Sequence, residues 1–465
     1  MAFFPGAGSL RPTLGPFSGD RMSNSLLPTT APDTPRTLSW WPLLRSFRLA
    51  FRLRQLMLAA VGLLLTTAAL RGLEPWLPGG PFPLPPQPWE IDLGFGTPTP
   101  LELVAGGIDD PQRLARNALG NVRVPLGPAR DFIEPAREAW DPRAEWHEVL
   151  GAGLRWFVWV AMWSIFGTAL CRSAAVEFAR EQSTHIWGAL RFGATRAPAV
   201  LGGLLLPLVA VAGLGALLAL GGLLGRLPYV GPLVLAVVWG LQLIVGVLLM
   251  VVLLGLVCGW PLMFATVAVE GTDAFDALSR SYNYLYERPL RQLGQVAITL
   301  VWGSFATFCV LLLAQWVVQL TLWGTSWGAT REVLNDFAEQ VPALLRADTV
   351  AAAVTVPVGD ETPVAGAVGA LPRWVARGWF RLLATLVTGF VYSFFFSSMT
   401  VMYFLLRQSV DGNDLDEVYL GNEPEPDDLL PLVGAAAMGV DLSKVGQASP
   451  PDETPPDNPP YPAPR

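Results

Sequence analysis

Residues 230–257 read VGPLVLAVVWGLQLIVGVLLMVVLLGLV, 28 positions without a charge. About 20 apolar residues in a helix cross the hydrocarbon core of a bilayer, so this stretch alone can span one. Five more runs of the same kind lie near 55–72, 150–171, 198–224, 293–323 and 378–406, and the charges gather in the gaps between them. Lipid supplies no hydrogen bonds to a backbone, so each run must close its own as a helix. The expected fold is all-α: a polytopic transmembrane helical bundle of about six spans, with amphipathic helices on its cytoplasmic side.

The composition agrees. The chain is 52% hydrophobic and 15% charged, where soluble domains carry roughly 25% charged residues. Eighteen Trp and 23 Phe suit two aromatic interface belts. The net charge of −7 comes largely from the C-terminal tail and the first long loop, which implies no nucleic-acid partner. Cys171, Cys258 and Cys309 fall in or beside apolar runs, and with no CxxC neither disulfide, zinc site nor redox motif is expected. The first apolar run starts after about 54 residues, without a small-residue cleavage site behind it, so no signal peptide is expected.

Outside the spans, residues 1–38 are rich in Pro, Ser, Thr and Gly and read as a disordered tail. Between 39 and 54, Leu44, Phe47 and Phe51 recur at helical spacing, as do Arg45, Arg48 and Arg52. That pattern predicts an interfacial helix on anionic headgroups. The membrane domain then covers 55–410. Its first loop, 73–149, is Pro-rich with 12 acidic residues; Asp110-Pro111 and Asp141-Pro142 each predict a helix start. The segment 173–197 reads as a hairpin of two short amphipathic helices, the second capped by Ser183 or Thr184. Gly259-Trp-Pro261 reads as a break after span four, leaving Leu262–Val269 as a kinked, re-entrant or buried stub within the cytoplasmic segment 259–292. Residues 272–288 predict an amphipathic helix with Phe275, Leu278, Tyr282 and Leu285 on one face and an Asp276–Arg280 pair, ended by Pro289. The second loop covers 324–372, and 411–465 reads as an acidic, Pro-rich disordered tail.

Orientation follows from arginines near the span ends. With the N-terminus inside, 12 lie on cytoplasmic segments against 8 outside. Both termini are therefore expected in the cytoplasm and both long loops outside, in a multi-pass protein of the cell membrane.

Candidate chemistry is sparse. Gly324-Thr-Ser326-Trp-Gly328 matches the GxSxG nucleophile pattern, but no His follows Ser326, so the hydrolase order cannot be completed. The two histidines, His147 and His185, are placed on opposite sides of the membrane, which does not favour zinc. The one lysine, Lys444, offers no phosphate-binding loop. No catalytic residue, metal or cofactor is expected. Arg373, Arg377 and Arg381 line one helix face at the outer end of span six and are candidate contacts for an anionic headgroup; they would otherwise snorkel and pair with loop acids such as Asp336 or Asp348. Gln242, Gln315, Gln319, Thr385, Thr388 and Tyr392 lie at membrane depth, where polar groups line a pathway or bind neighbouring helices. Phe275, Asp276, Arg280 and Tyr282 are the candidate cytoplasmic docking face.

The stretch 259–289, GWPLMFATVAVEGTDAFDALSRSYNYLYERP, resembles a signature of an uncharacterised family of bacterial polytopic membrane proteins, and the Cys171-Arg172-Ser-Ala-Ala segment is similar to the same family. The resemblance covers most of residues 40–410 and supplies neither a reaction nor site residues. More distantly, Ala277-Leu-x-Arg-Ser-Tyr resembles the membrane domain attached to some bacterial glycerophosphodiester phosphodiesterases. Their catalytic barrel has no counterpart in this sequence, so the resemblance implies no such activity. The element is also similar to the cytoplasmic coupling loop of ABC-type permeases, although Glu270 is followed by Gly-Thr and not by two alanines. The expected function is a non-enzymatic scaffold or accessory subunit of a membrane complex, with the lipid bilayer and a protein partner or a second copy as its contacts. The alternative is a transporter or permease subunit for a lipid-like or apolar solute.

Overall fold

The computed structural model describes residues 40–73, 75, 86–91, 93, 95, 111–119, 121–139, 145–346, 369–412, 415 and 417–419. The expected tail at 1–38, the part of the expected 411–465 tail beyond 419, the Asp141-Pro142 signal and residues 347–368 lie outside them. The chain divides into two units, Met1–Pro42 and Leu43–Arg465. In the first, Trp40 and Trp41 meet edge to face at 6.2 Å.

The second unit is helical, with no strand among the described residues. In chain order its helices are α1 (Arg45–Ala50), α2 (Leu53–Leu73), α3 (Pro111–Leu119), α4 (Gly127–Ala139), α5 (Trp146–Arg180), α6 (Ile186–Leu224), α7 (Gly231–Glu270), α8 (Ala274–Glu287), α9 (Pro289–Thr325), α10 (Arg331–Glu339) and α11 (Ala370–Val410). Six of them, α2, α5, α6, α7, α9 and α11, are long and apolar enough to cross a membrane. The protein is an all-α polytopic membrane bundle.

The spans are longer than the apolar runs. At about 1.5 Å per residue, the 41 residues of α11 reach about 62 Å, twice the roughly 30 Å hydrocarbon core. The extra length carries the corrections to the sequence reading. No separate helix follows α5: it continues to Arg180, and α6 begins at Ile186. The cap of α6 is neither Ser183 nor Thr184 but His185, whose Nδ1 accepts from Trp187 N–H at 3.3 Å. Thr184 turns away, donating to Ser173 Oγ at 3.1 Å. Likewise α7 runs unbroken through Pro261, so the stub at 262–269 is its buried last turns. Beside the proline, Gln292 Nε2 donates to Cys258 O at 3.3 Å.

The segment before α2 packs against the bundle. Leu43, Ser46, Leu49 and Ala50 are buried, Phe47 meets Phe390 and Trp302 at 5.9 and 6.3 Å, and Ser393 Oγ donates to Ala50 O at 3.0 Å. These contacts seat α1 against α9 and α11, with Arg45 and Arg48 left on its exposed side.

Burial is uneven along the bundle. The last halves of α5, α7 and α11 are enclosed, whereas the α6–α7 hairpin between about 205 and 254 exposes Val209, Leu217, Leu220, Leu233, Val237, Leu243 and Met250 on all sides. Such a surface, without a polar face, suits lipid. The first loop does not stay at the surface. Thr388 Oγ1 donates to Pro88 O at 2.7 Å, Ser304 Oγ to Ala118 O at 3.0 Å, and Phe132 of α4 stacks on Trp260 at 4.3 Å. The loop therefore enters the bundle and reaches the middle of α11. There a run of rings fills the space between α4, α5, α7 and α11: Tyr392 on Trp163 at 4.6 Å, Trp163 on Phe396 at 5.3 Å, Phe396 against Phe264 at 5.4 Å and Phe264 against Trp260 at 5.8 Å.

Candidate functional site

At the end of the bundle where α5, α7 and α11 finish, the local chain reversal is set by two residues. Gly271, at φ +66°, ends α7 immediately after Glu270. Asp273 then caps α8, its carboxylate accepting from Asp276 N–H at 3.0 Å. The chain folds back and brings Arg280 to Glu270, at 2.5 Å. Arg407, near the end of α11, reaches the same carboxylate at 3.3 Å, and Tyr403 donates to it at 2.5 Å. Arg407 also binds the segment beyond α11: Nη1 donates to Glu417 O at 2.9 Å and Nη2 to its carboxylate at 3.1 Å. Tyr419 N–H donates to Val269 O at 2.9 Å, Val418 is buried, and a Cβ at residue 271 would lie 2.5 Å from the Tyr419 ring. Tyr284 closes the cluster by donating to Asp411.

Glu270 and Arg407 are about one-tenth exposed, so removing either would strand a charge in a poorly solvated place. Burial works against the Arg280 charge, but Glu270, backed by Tyr403 and Tyr284, outweighs it and holds the guanidinium proton more firmly than usual. Burial and the Asp411 carboxylate both push the Tyr284 hydroxyl up, which keeps it a neutral donor. A second polar centre sits at mid-bundle, where Tyr392 donates to the Asp131 carboxylate of α4. Burial raises the Asp131 carboxyl to about 6, against the lowering effect of Tyr392 and Arg130. A carboxyl there can take up or release a proton near neutral pH.

The predicted docking face divides. Phe275 and Asp276 are exposed, but Arg280 faces Glu270 and not Asp276. Tyr282 turns inward: its hydroxyl donates to Val252 O at 3.0 Å, and its ring packs where Gly255 has no side chain. The predicted membrane-depth polar groups do not meet one another. Gln242 Nε2 donates across the α6–α7 hairpin to Leu218 O at 3.3 Å, Gln315 holds Leu344 O at 3.0 Å, and Thr388 holds the inserted loop. Gln319 Nε2 is buried without a partner among the described residues. Of the three arginines on α11, Arg377 donates to Gln340 Oε1 at 2.6 and 2.8 Å and Arg381 stacks over Trp89 at 4.8 Å; Arg373 has no partner among the described residues. Ser326 is the residue after α9 and donates to Trp323 O at 2.6 Å.

Sequence reasoning missed Glu270, Arg407, Glu417 and Asp131. Glu270 was visible as the first charge after Arg226 and Arg407 as the charge that ends span six, but their partnership joins residues 137 positions apart. No family model, curated protein or solved structure matches this chain.

Proposed function

We propose that this chain is a non-enzymatic scaffold or accessory subunit of a bacterial inner-membrane complex, with both termini in the cytoplasm. The Glu270 cluster then lies on the cytoplasmic side, bracing a docking surface that presents Phe275 and Asp276. The observation that carries this reading is the ring-filled interior: Tyr392, Trp163, Phe396, Phe264 and Trp260 occupy the middle of the bundle, and Gln242, Gln315 and Thr388 each hold a loop or a hairpin. In the working complex, a photo-crosslinking side chain at position 275 should capture one stoichiometric partner or a second copy. A crosslinker at Leu217, on the lipid-facing hairpin, should not. Equal capture from both positions counts against the reading.

One observation favours the alternative, a carrier for a lipid-like solute: an ionisable residue at mid-bundle is a functional-site hypothesis by default, and Asp131 is one. Proteoliposomes separate the two. A scaffold moves a fluorescent lipid analogue no faster than empty vesicles do. Transport that is abolished by Asp131→Asn would replace the scaffold reading with the carrier.

A further inference from the structure

Buried polar atoms are normally hydrogen-bonded, to protein or to a small bound molecule. Sixteen buried side-chain polar atoms among the described residues have no partner in the protein, and five of them lie on α9 between residues 292 and 307. They are Gln292 Oε1, Gln295 Oε1, Thr299 Oγ1, Trp302 Nε1 and Thr307 Oγ1. The first three residues are spaced by three and then four, which sets them side by side on one helix face. From Pro289 to Thr307, no buried residue of α9 has an apolar side chain larger than that of alanine. The apolar side chains Leu290, Leu293, Val301 and Phe305 are exposed instead. This half of α9 is polar inside and apolar outside. In a membrane protein, polar side chains turned inward mark a ligand path or a water-filled space when no neighbouring helix satisfies them.

The recess has two definable ends. α9 starts at the end of the bundle that holds the Glu270 cluster, directly after α8, and α11 returns to that end, so the two helices run antiparallel. They meet at Gly303, where a Cβ would lie 2.6 Å from the Phe394 ring and 2.8 Å from Pro125. That contact closes the far side. Ser397 follows Phe394 by three residues toward the charged end, on the same face of α11, and so comes level with Thr299. It is fully buried, and its Oγ also lacks a partner. Gln292 spends its Nε2 on Cys258 O of α7 at 3.3 Å, which leaves only its oxygen. Amide oxygens accept hydrogen bonds, and hydroxyls both accept and donate. α9 carries no acid, and Arg288 and Arg291 stand at its start, so a cation is repelled on entry. An anion would face two amide oxygens that offer it no proton. An uncharged ligand with O–H groups of its own satisfies all four residues.

We propose that Gln292, Gln295 and Thr299 of α9, with Ser397 of α11, form a recess that binds a small uncharged hydroxyl-bearing molecule, entered from the charged end and closed at Gly303. The recess stands whether the chain is a scaffold or a carrier. The test is thiol accessibility in the full-length protein in phosphatidylcholine nanodiscs, with Cys171→Ala, Cys258→Ala and Cys309→Ala as background. Single cysteines are introduced by Gln295→Cys and Thr299→Cys in the recess, by Val301→Cys and Phe305→Cys on the lipid-facing side, and by Asp276→Cys in water. Each is treated with 2-hydroxyethyl methanethiosulfonate and followed by intact mass. The thiolate is the reacting form and needs polar surroundings. Positions 295 and 299 should react about tenfold faster than 301 and 305, the effect of one unit in thiol pKa. They should react about tenfold more slowly with the sulfonatoethyl and trimethylammonioethyl reagents than position 276 does, on the scale of the same unit. Excess glycerol should slow the reaction at 295 and 299 and leave 276 unchanged. Ser397→Cys gives the same readings from α11, which keeps the test open if an α9 variant fails to fold. The proposal is overturned if the recess positions react no faster than 301 and 305, if charged and uncharged reagents enter alike, or if glycerol protects neither position.

Discussion

Two carboxylates carry most of the residue-scale consequences. Glu270 is the shared counter-charge of Arg280 and Arg407, so Glu270→Gln leaves two cations facing a neutral amide. Breaking a buried pair costs about 3–5 kcal/mol, and the melting temperature of the detergent-solubilised protein should fall accordingly. Tyr403→Phe, which removes one hydrogen bond to the same carboxylate, should cost about 1 kcal/mol. An E270Q protein as stable as Y403F would show the cluster to be solvated. Asp131 gives a pH signature of definite sign. Its carboxyl is raised to about 6 in the folded protein, from an ordinary value of 3.8. The folded state therefore binds the extra proton between those values, and its stability falls as pH rises from about 4 to about 6. Asp131→Asn should flatten that slope in thermal melts at pH 4.5, 5.5 and 7; an unchanged slope would assign it to another group. Neither residue was singled out from the sequence. Charge and apolar runs locate a residue along the chain, but a partner 137 positions away, or a loop that re-enters a bundle, depends on packing that no local pattern records.

Elements were legible where solvent dictates them and obscure where neighbours do. The six apolar runs became six helices because hydrocarbon leaves the backbone no other way to satisfy itself. Local rules misplaced the ends. Gly259-Trp-Pro261 is a strong breaker, yet α7 continues through it within a crowd of helices that support it. The two helices expected in 173–197 became the end of α5 and the start of α6, which meet at Gly193 in a contact closer than a side chain would allow. Helix packing through glycine can be tested directly. Gly193→Ala should destabilise by about 1–3 kcal/mol through overpacking, since its Cβ would meet the α5 backbone. Gly213→Ala, where nothing lies within 4 Å, should be neutral or stabilise by about 0.5–1 kcal/mol from helix propensity. Matching melting temperatures for the two variants would mean that α5 and α6 do not cross at residue 193.

For the whole molecule, one division organises the rest. Apolar side chains are exposed along the α6–α7 hairpin and the flanks of α2 and α9, while the ion pairs of Glu177, Glu270 and Arg407 lie at the end where α5, α7 and α11 finish. Lipid around the first region and water beside the second accounts for both. It also explains why composition alone revealed the class of protein, whereas the polar clusters appeared only with the fold. The most direct test places spin labels at Leu217, Val237 and Met250, on the exposed hairpin, in the protein reconstituted into bilayers, with a fourth label at Asp276. Collision rates with oxygen, which concentrates in hydrocarbon, and with a water-soluble nickel chelate report the solvent at each position. The account predicts high oxygen and low nickel accessibility at the three hairpin sites and the reverse at 276. Nickel accessibility at the hairpin equal to that at 276 would place those apolar helices in water and contradict the membrane-spanning bundle.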